Sequence, residues 1–287
     1  MQQSDTVYIT ECPRDAMQGL NNFIPTASKV DYLNLLLEVG FDTLDFGSFV
    51  SPKAIPQLRD TEEVYENINW RNSDTELLAI IANERGCNDA LKFEGIRYIG
   101  YPFSISETFQ QRNTNRSVSD SFELVKYIQD ECAANSKEPV IYLSMAFGNP
   151  YGDPWNPDVV TGWALEMEKL GIRNIALADT VGIASSDDVF DVTSVVVSEL
   201  KQADISAHLH CRPDNWEEKV DAAFSAGCRR FDTAIRGFGG CPMAKDELVG
   251  NLATENLVQY LDNKGVSVRL NRNEFQTALI KAGEFFV

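Results

Sequence analysis

Residues 207–213 read AHLHCRP and contain both histidines of the chain, His208 and His210. On a strand, residues two apart face the same side, so both imidazoles aim at one small volume. Two neutral ring nitrogens so placed form a chelating pair for a divalent cation. The plainer reading, core histidines satisfied by their neighbours, suits one isolated histidine better than a pair. Asp15, in ECPRD, offers a hard carboxylate oxygen, and Asn251, in ELVGNLATE, an amide oxygen. With positions left open for substrate, this set favours Mg²⁺ or Mn²⁺ over structural zinc. Taken singly, Asp15 and Asn251 would be ordinary turn residues.

Other residues could act beside such a cation. Arg14, next to Asp15, could polarise a carbonyl or stabilise an enolate oxygen, though an arbitrary arginine is more often a surface ion pair. Cys241 sits in RGFGGCPMA, where Gly237, Gly239 and Gly240 free the backbone and Pro242 restrains it, which reads as a mobile lid carrying an acid/base thiol. Asp45 and Asp179 are further carboxylates near strand ends, with helix capping as the alternative.

These residues need a scaffold that brings distant segments together. Eight short apolar runs, 7–12, 43–49, 76–82, 96–104, 140–147, 172–179, 205–211 and 229–235, alternate with stretches of helical periodicity such as SSDDVFDVTSVVVSELKQ. Ser, Thr or Asp opens several helices, and Gly40 and Gly171 close two of them. The alternation predicts a (β/α)₈ TIM barrel spanning residues 1–287 as one domain, with its site at the C-terminal strand ends. An open doubly wound sheet is the second choice, but no G-x-G-x-x-G follows the first strand.

Composition narrows the partners. Lys and Arg number 25 against 43 Asp and Glu, a formal charge of −18, which repels nucleic acid and anionic membranes. The first residues lack a secretory pattern, no apolar run reaches bilayer-spanning length, and the six cysteines show no C-x-x-C spacing. A cytoplasmic location with reduced thiols is expected.

Together the segments resemble the hydroxymethylglutaryl-CoA lyases, metal-dependent barrels with an H-x-H pair. The matches are ECPRDAMQ, GSFVSPKAIPQL, FSISETFQQRNTNRS, MAFGNPYGD, LADTVGIA, AHLH, GFGGCPMA and GNLATENL, spread over almost the whole chain. The resemblance implies that Asp15, His208, His210 and Asn251 hold the cation and that Arg14 stabilises an enolate. It likewise makes Cys241 the acid/base and places Asp45 and Asp179 at family active-site carboxylates. The implied reaction is retro-Claisen cleavage of (S)-3-hydroxy-3-methylglutaryl-CoA, or a close acyl-CoA analogue, to acetoacetate and acetyl-CoA. The family is often dimeric, and the pathway, leucine breakdown or another acyl-CoA route, stays open. An aldolase or synthase of the same barrel, or a non-catalytic metal- or metabolite-binding barrel, are the alternatives, and the G-G-C-P loop tilts the reading to cleavage.

The chain departs from the family pattern in places. Asp45 replaces glutamate, Cys211, Arg212 and Pro213 follow the second histidine in place of Asp-Thr, Ala16 replaces glycine in P-R-D-G, Cys12 replaces glycine and Asn149 replaces cysteine. Cys211 and Arg212 are expected to change the contacts that orient His210. Lys53, Arg112 and Arg116 are candidates for the CoA phosphates.

Overall fold

The computed structural model describes residues 6–240 and 249–286. Eight parallel strands close into a barrel: β1 (Tyr8–Glu11), β2 (Thr43–Ser48), β3 (Glu76–Ile80), β4 (Ile96–Ser104), β5 (Glu138–Ser144), β6 (Asn174–Asp179), β7 (Asp204–Cys211) and β8 (Arg230–Thr233). Each strand pairs with its sequence neighbours, and β1 closes the ring on β8. All eight coincide with the apolar runs of the sequence. A ninth strand, β9 (Gly250–Asn251), is the exception; it pairs antiparallel with the end of β7 and sets Asn251 opposite His210.

Helices follow the strands and cover the barrel. The helix Ser186–Glu199 shows why this sequence does so: Val189, Val192, Thr193 and Val196 recur at helical spacing and are buried, while Ser185 and Asp188 form a reciprocal capping box at its start. Gly40 and Gly171 end their helices at φ of +79° and +91°, conformations that cost an L side chain about 1–2 kcal/mol.

The interior of the barrel is divided in character. Leu78, Ile80, Val140, Tyr142 and Ala176 form a small apolar cluster apart from the main strand–helix core. Across from it, Asp45, His208 and Asp232 bring ionisable groups from β2, β7 and β8. Among the described residues, no helix is long and apolar enough to cross a membrane.

Candidate active site

The turn after β1 is a single helical stretch, Pro13–Gln18, whose proline sits at the first helical position. It places Arg14, Asp15 and Gln18 on the rim of a cavity of about 410 Å³, which His208 and His210 of β7 also line. Asp15, His208 and His210 each bring a ligand atom to within 4.8 Å of the other two. The rings of the two histidines lie 5.2 Å apart and nearly perpendicular, both on the cavity side, as the alternation of the strand requires.

Neighbouring groups fix both imidazoles. The Nδ1 of His210 lies 2.9 Å from the main-chain carbonyl of Asp179, so Nδ1 carries the proton and Nε2 the lone pair. That Nε2 is buried and has no hydrogen-bond partner. Burial, then the neighbouring His208, lowers the pKa of His210 and keeps it neutral. His208 Nδ1 lies 3.2 Å from Asp232 of β8, its cross-strand neighbour, and Tyr142 packs edge-on against its ring at 5.6 Å. Burial alone would lower the pKa of His208, but Asp232 outweighs it and raises it. Asp15 is held ionised: burial pushes its carboxyl up, and Arg14 with the two histidines and Asn251 pulls it below the usual range. A buried carboxylate beside two imidazoles, one with an orphaned ring nitrogen, fits a divalent cation.

Asn251 also reaches this group, but through its nitrogen: Nδ2 donates to Asp15 Oδ2 at 2.7 Å and to the carbonyl of Phe238 at 2.9 Å.

Arg14 has five N–H donors, and its neighbours use four. Nε and Nη2 bind Asp45 at 2.9 and 2.6 Å, while Nη1 donates to Asp15 at 3.0 Å and to Gln18 at 2.9 Å. One Nη2 hydrogen remains. Asp45 is fully buried beneath the guanidinium, and its pKa is pushed up to about 6 by burial against the pull of Arg14. Its carboxylate positions Arg14.

Asp179 departs further from expectation. Its carboxylate pairs with Lys219 at 2.7 Å, both groups buried, while its main-chain carbonyl holds His210. Lys219 also donates to the carbonyl of His210 at 3.0 Å. Cys211 is buried beside the Asp179–Lys219 pair, and Arg212 is paired outside with Asp214. Asn149 builds the loop after β5, accepting from the backbone N–H groups of Tyr151 and Asp153. Cys241 lies outside the described residues. The chain leading to it is tied to the site at Gly239, where φ is +97° and an added Cβ would stand 2.6 Å from Asn251 Nδ2 and 3.0 Å from the Asp15 carbonyl.

Sequence reasoning missed Gln18, Tyr142, Lys219 and Asp232. Gln18 was readable, three and four residues after Asp15 and Arg14 on one helical face. The others depend on strand register and on a lysine buried in a helix that reads as amphipathic.

The family model described as HMGL-like matches residues 7–279. The chain belongs to the HMGL-like family. Two curated relatives of this HMGL-like chain are lyases. The 3-hydroxy-3-isohexenylglutaryl-CoA/hydroxymethylglutaryl-CoA lyase of Pseudomonas aeruginosa is 29% identical over 95% of this chain and 88% of its own length. The hydroxymethylglutaryl-CoA lyase YngG of Bacillus subtilis is 30% identical over 93% and 88%. The HMG-CoA lyase of Acinetobacter baumannii, solved with coenzyme A and 3-methylmalate, superposes with a TM-score of 0.90 at 31% identity, covering 100% of this chain and 93% of that one. Fold, family and relatives agree that this HMGL-like protein is a carbon–carbon lyase.

Proposed function

We propose that the protein is a divalent-metal-dependent lyase that cleaves a 3-hydroxy-3-alkylglutaryl-CoA, hydroxymethylglutaryl-CoA or a homologue with a longer alkyl group, to a 3-oxo acid and acetyl-CoA. The observation that carries this is the orphaned Nε2 of His210 beside Asp15 and His208. Asp15, His208 and His210 would hold Mg²⁺ or Mn²⁺, with Asn251 completing the set through its oxygen. When bound, the cation supplies Lewis acidity and a template for the hydroxyl and carboxylate oxygens of the substrate.

In the cleavage a base takes the proton of the C3 hydroxyl, the C2–C3 bond breaks, and the resulting carbanion at C2 takes up a proton from an acid. Arg14 donates its remaining N–H to the thioester oxygen as that oxygen becomes anionic. Asp45, Asp15 and Gln18 hold the guanidinium in place, so its charge is set before substrate arrives. Cys241 would return the proton to C2, and closure of its glycine-rich segment would exclude water. Lys53 and Arg112 are exposed and adjoin the cavity-lining residues Ala54 and Asn113, which suits them to the CoA phosphates. A location in the cytoplasm is part of the same reading.

The acyl group is read from the other wall. Val50, Ile55, Ile80, Ile81 and Phe109 make that side of the cavity apolar, and Ala54 and Ala82 leave room beside them. Each methylene buried there is worth about 0.8 kcal/mol, roughly fourfold in kcat/KM. Purified protein with Mn²⁺ should release acetyl-CoA from hydroxymethylglutaryl-CoA and prefer substrates with longer C3 alkyl groups. Absence of acetyl-CoA above a Cys241→Ala control, with every chain length, overturns the reading. Ala54→Phe should cost a long-chain substrate about tenfold or more and the methyl substrate far less.

A further inference from the structure

A second trio of donors lies beneath the first and shares one member with it. Cys12 just after β1, His208 on β7 and Asp232 on β8 bring a sulfur, a nitrogen and an oxygen within 4.8 Å of one another. Cys12 is 1% exposed, and the hydrogen bond its sulfur makes is a long one of 3.7 Å to the Thr10 carbonyl. We propose that Cys12, His208 and Asp232 form a second, inhibitory cation site, selective for thiophilic ions such as Zn²⁺, that competes with the Asp15 site for His208.

The donor set determines the selectivity. A thiolate, an imidazole and a carboxylate are the ligand types of zinc, whereas Mg²⁺ takes oxygen and avoids sulfur. Tetrahedral zinc holds its donors about 3.3–3.8 Å apart, so closing the trio asks for side-chain shifts of about 1 Å. His208 lines the upper cavity, and Asp232 lines a smaller one of about 30 Å³ at the opposite end of the barrel, so the trio lies between two openings.

The chemistry of one imidazole makes the two sites exclusive. A neutral ring has one proton and one lone pair. With the proton on Nδ1, facing Asp232, Nε2 is left to serve the Asp15 site. While the ring stays neutral, an ion bound at Nδ1 takes its one lone pair and leaves the proton on Nε2, so the Asp15 site loses a ligand. Cys12 gives its thiol proton to solvent, one proton released per ion, and no oxidant or reductant takes part.

The inhibition arm rests on the proposed lyase reading, and the binding arm does not. Metal-free full-length protein is titrated with Co²⁺, used as a probe because a cobalt–thiolate bond gives an intense near-ultraviolet charge-transfer band. The band should saturate at one equivalent, vanish in Cys12→Ser and Asp232→Asn, and survive Cys241→Ser. A band that persists in Cys12→Ser, or vanishes in Cys241→Ser, assigns the thiolate elsewhere and overturns the site. No band in the wild-type protein overturns it as well. In turnover at saturating Mg²⁺, Zn²⁺ should inhibit the wild type, and Cys12→Ser should need about tenfold more Zn²⁺ or more for the same inhibition. Equal sensitivity in the two proteins overturns the competition. The cobalt band reads the site even in a protein that turns over no acyl-CoA, so failure of the lyase reading is told apart from failure of this one.

Discussion

The residues that orient the ligands matter here almost as much as the ligands. Asp232 fixes which nitrogen of His208 carries the proton, and the Asp179 carbonyl does the same for His210. A glutamine at position 210 could not reproduce the orphaned Nε2. Asp232→Asn keeps the shape but removes the charge that holds the Nδ1 proton, so Mn²⁺ affinity should fall about 10–100-fold while the fold is kept. Isothermal titration with Mn²⁺ measures this, and an unchanged affinity would show that Asp232 does not set the tautomer. Arg14 illustrates the same dependence: its neighbours occupy four donors so that the fifth is aimed, and Asp45 does this from 0% exposure. The shorter side chain of Asp45 is matched to that task, because it reaches a guanidinium directly above it.

At the level of elements, each strand delivers its last residues to one end, and the loops carry them inward. Gly239 is where the segment before Cys241 meets Asp15 and Asn251, and it combines positive φ with a backbone approach too close for a Cβ. Gly239→Ala should therefore cost about 1–3 kcal/mol through strain and crowding. Metal affinity should fall with it, read by thermal melting alongside Mn²⁺ titration; loss of stability with unchanged affinity would separate the loop from the site. The eight strands were legible because each is a short apolar run, buried on both faces in β2, β5 and β6, set between stretches of helical periodicity. The H-x-H pair was legible because strand alternation alone aims both rings. Three things were not. β9 is two residues long and exists only where the closed barrel offers it the end of β7. Lys219 reads as a surface charge until the fold buries it on Asp179. The roles of Asp45 and Asp179 depend on which cation each faces, and that is decided by packing between helices and strands far apart in sequence.

For the whole molecule, closure is the decisive event, and one buried acid records it. Glu11 at the end of β1 accepts from the Ile235 N–H at 2.8 Å and the Thr254 hydroxyl at 2.6 Å, tying the first strand to the last segments of the barrel. Burial pushes its pKa up to about 8 from 4.5, partly offset by these hydrogen bonds. The folded state therefore binds more protons than the unfolded one between those values, so this stabilising term is full below about 4.5 and is lost as pH rises to about 8. Glu11→Gln, which removes the titrating carboxyl and keeps an oxygen to accept from the Ile235 N–H, should flatten the stability–pH profile in that window and raise stability at pH 8. Urea melts at several pH values test this, and a variant that keeps the wild-type slope would place the proton elsewhere. Asn251 and Asp15 are in contact across 236 residues of chain, and Thr254 and Glu11 across 243. A chain still emerging during synthesis can form its early strands yet cannot assemble this site, because one wall comes from the first turn and the other from the last. Such distant partners meet slowly, since loop closure must precede any reward from contact. Metal capture is then a clock for late folding, silent until segments 236 residues apart have met.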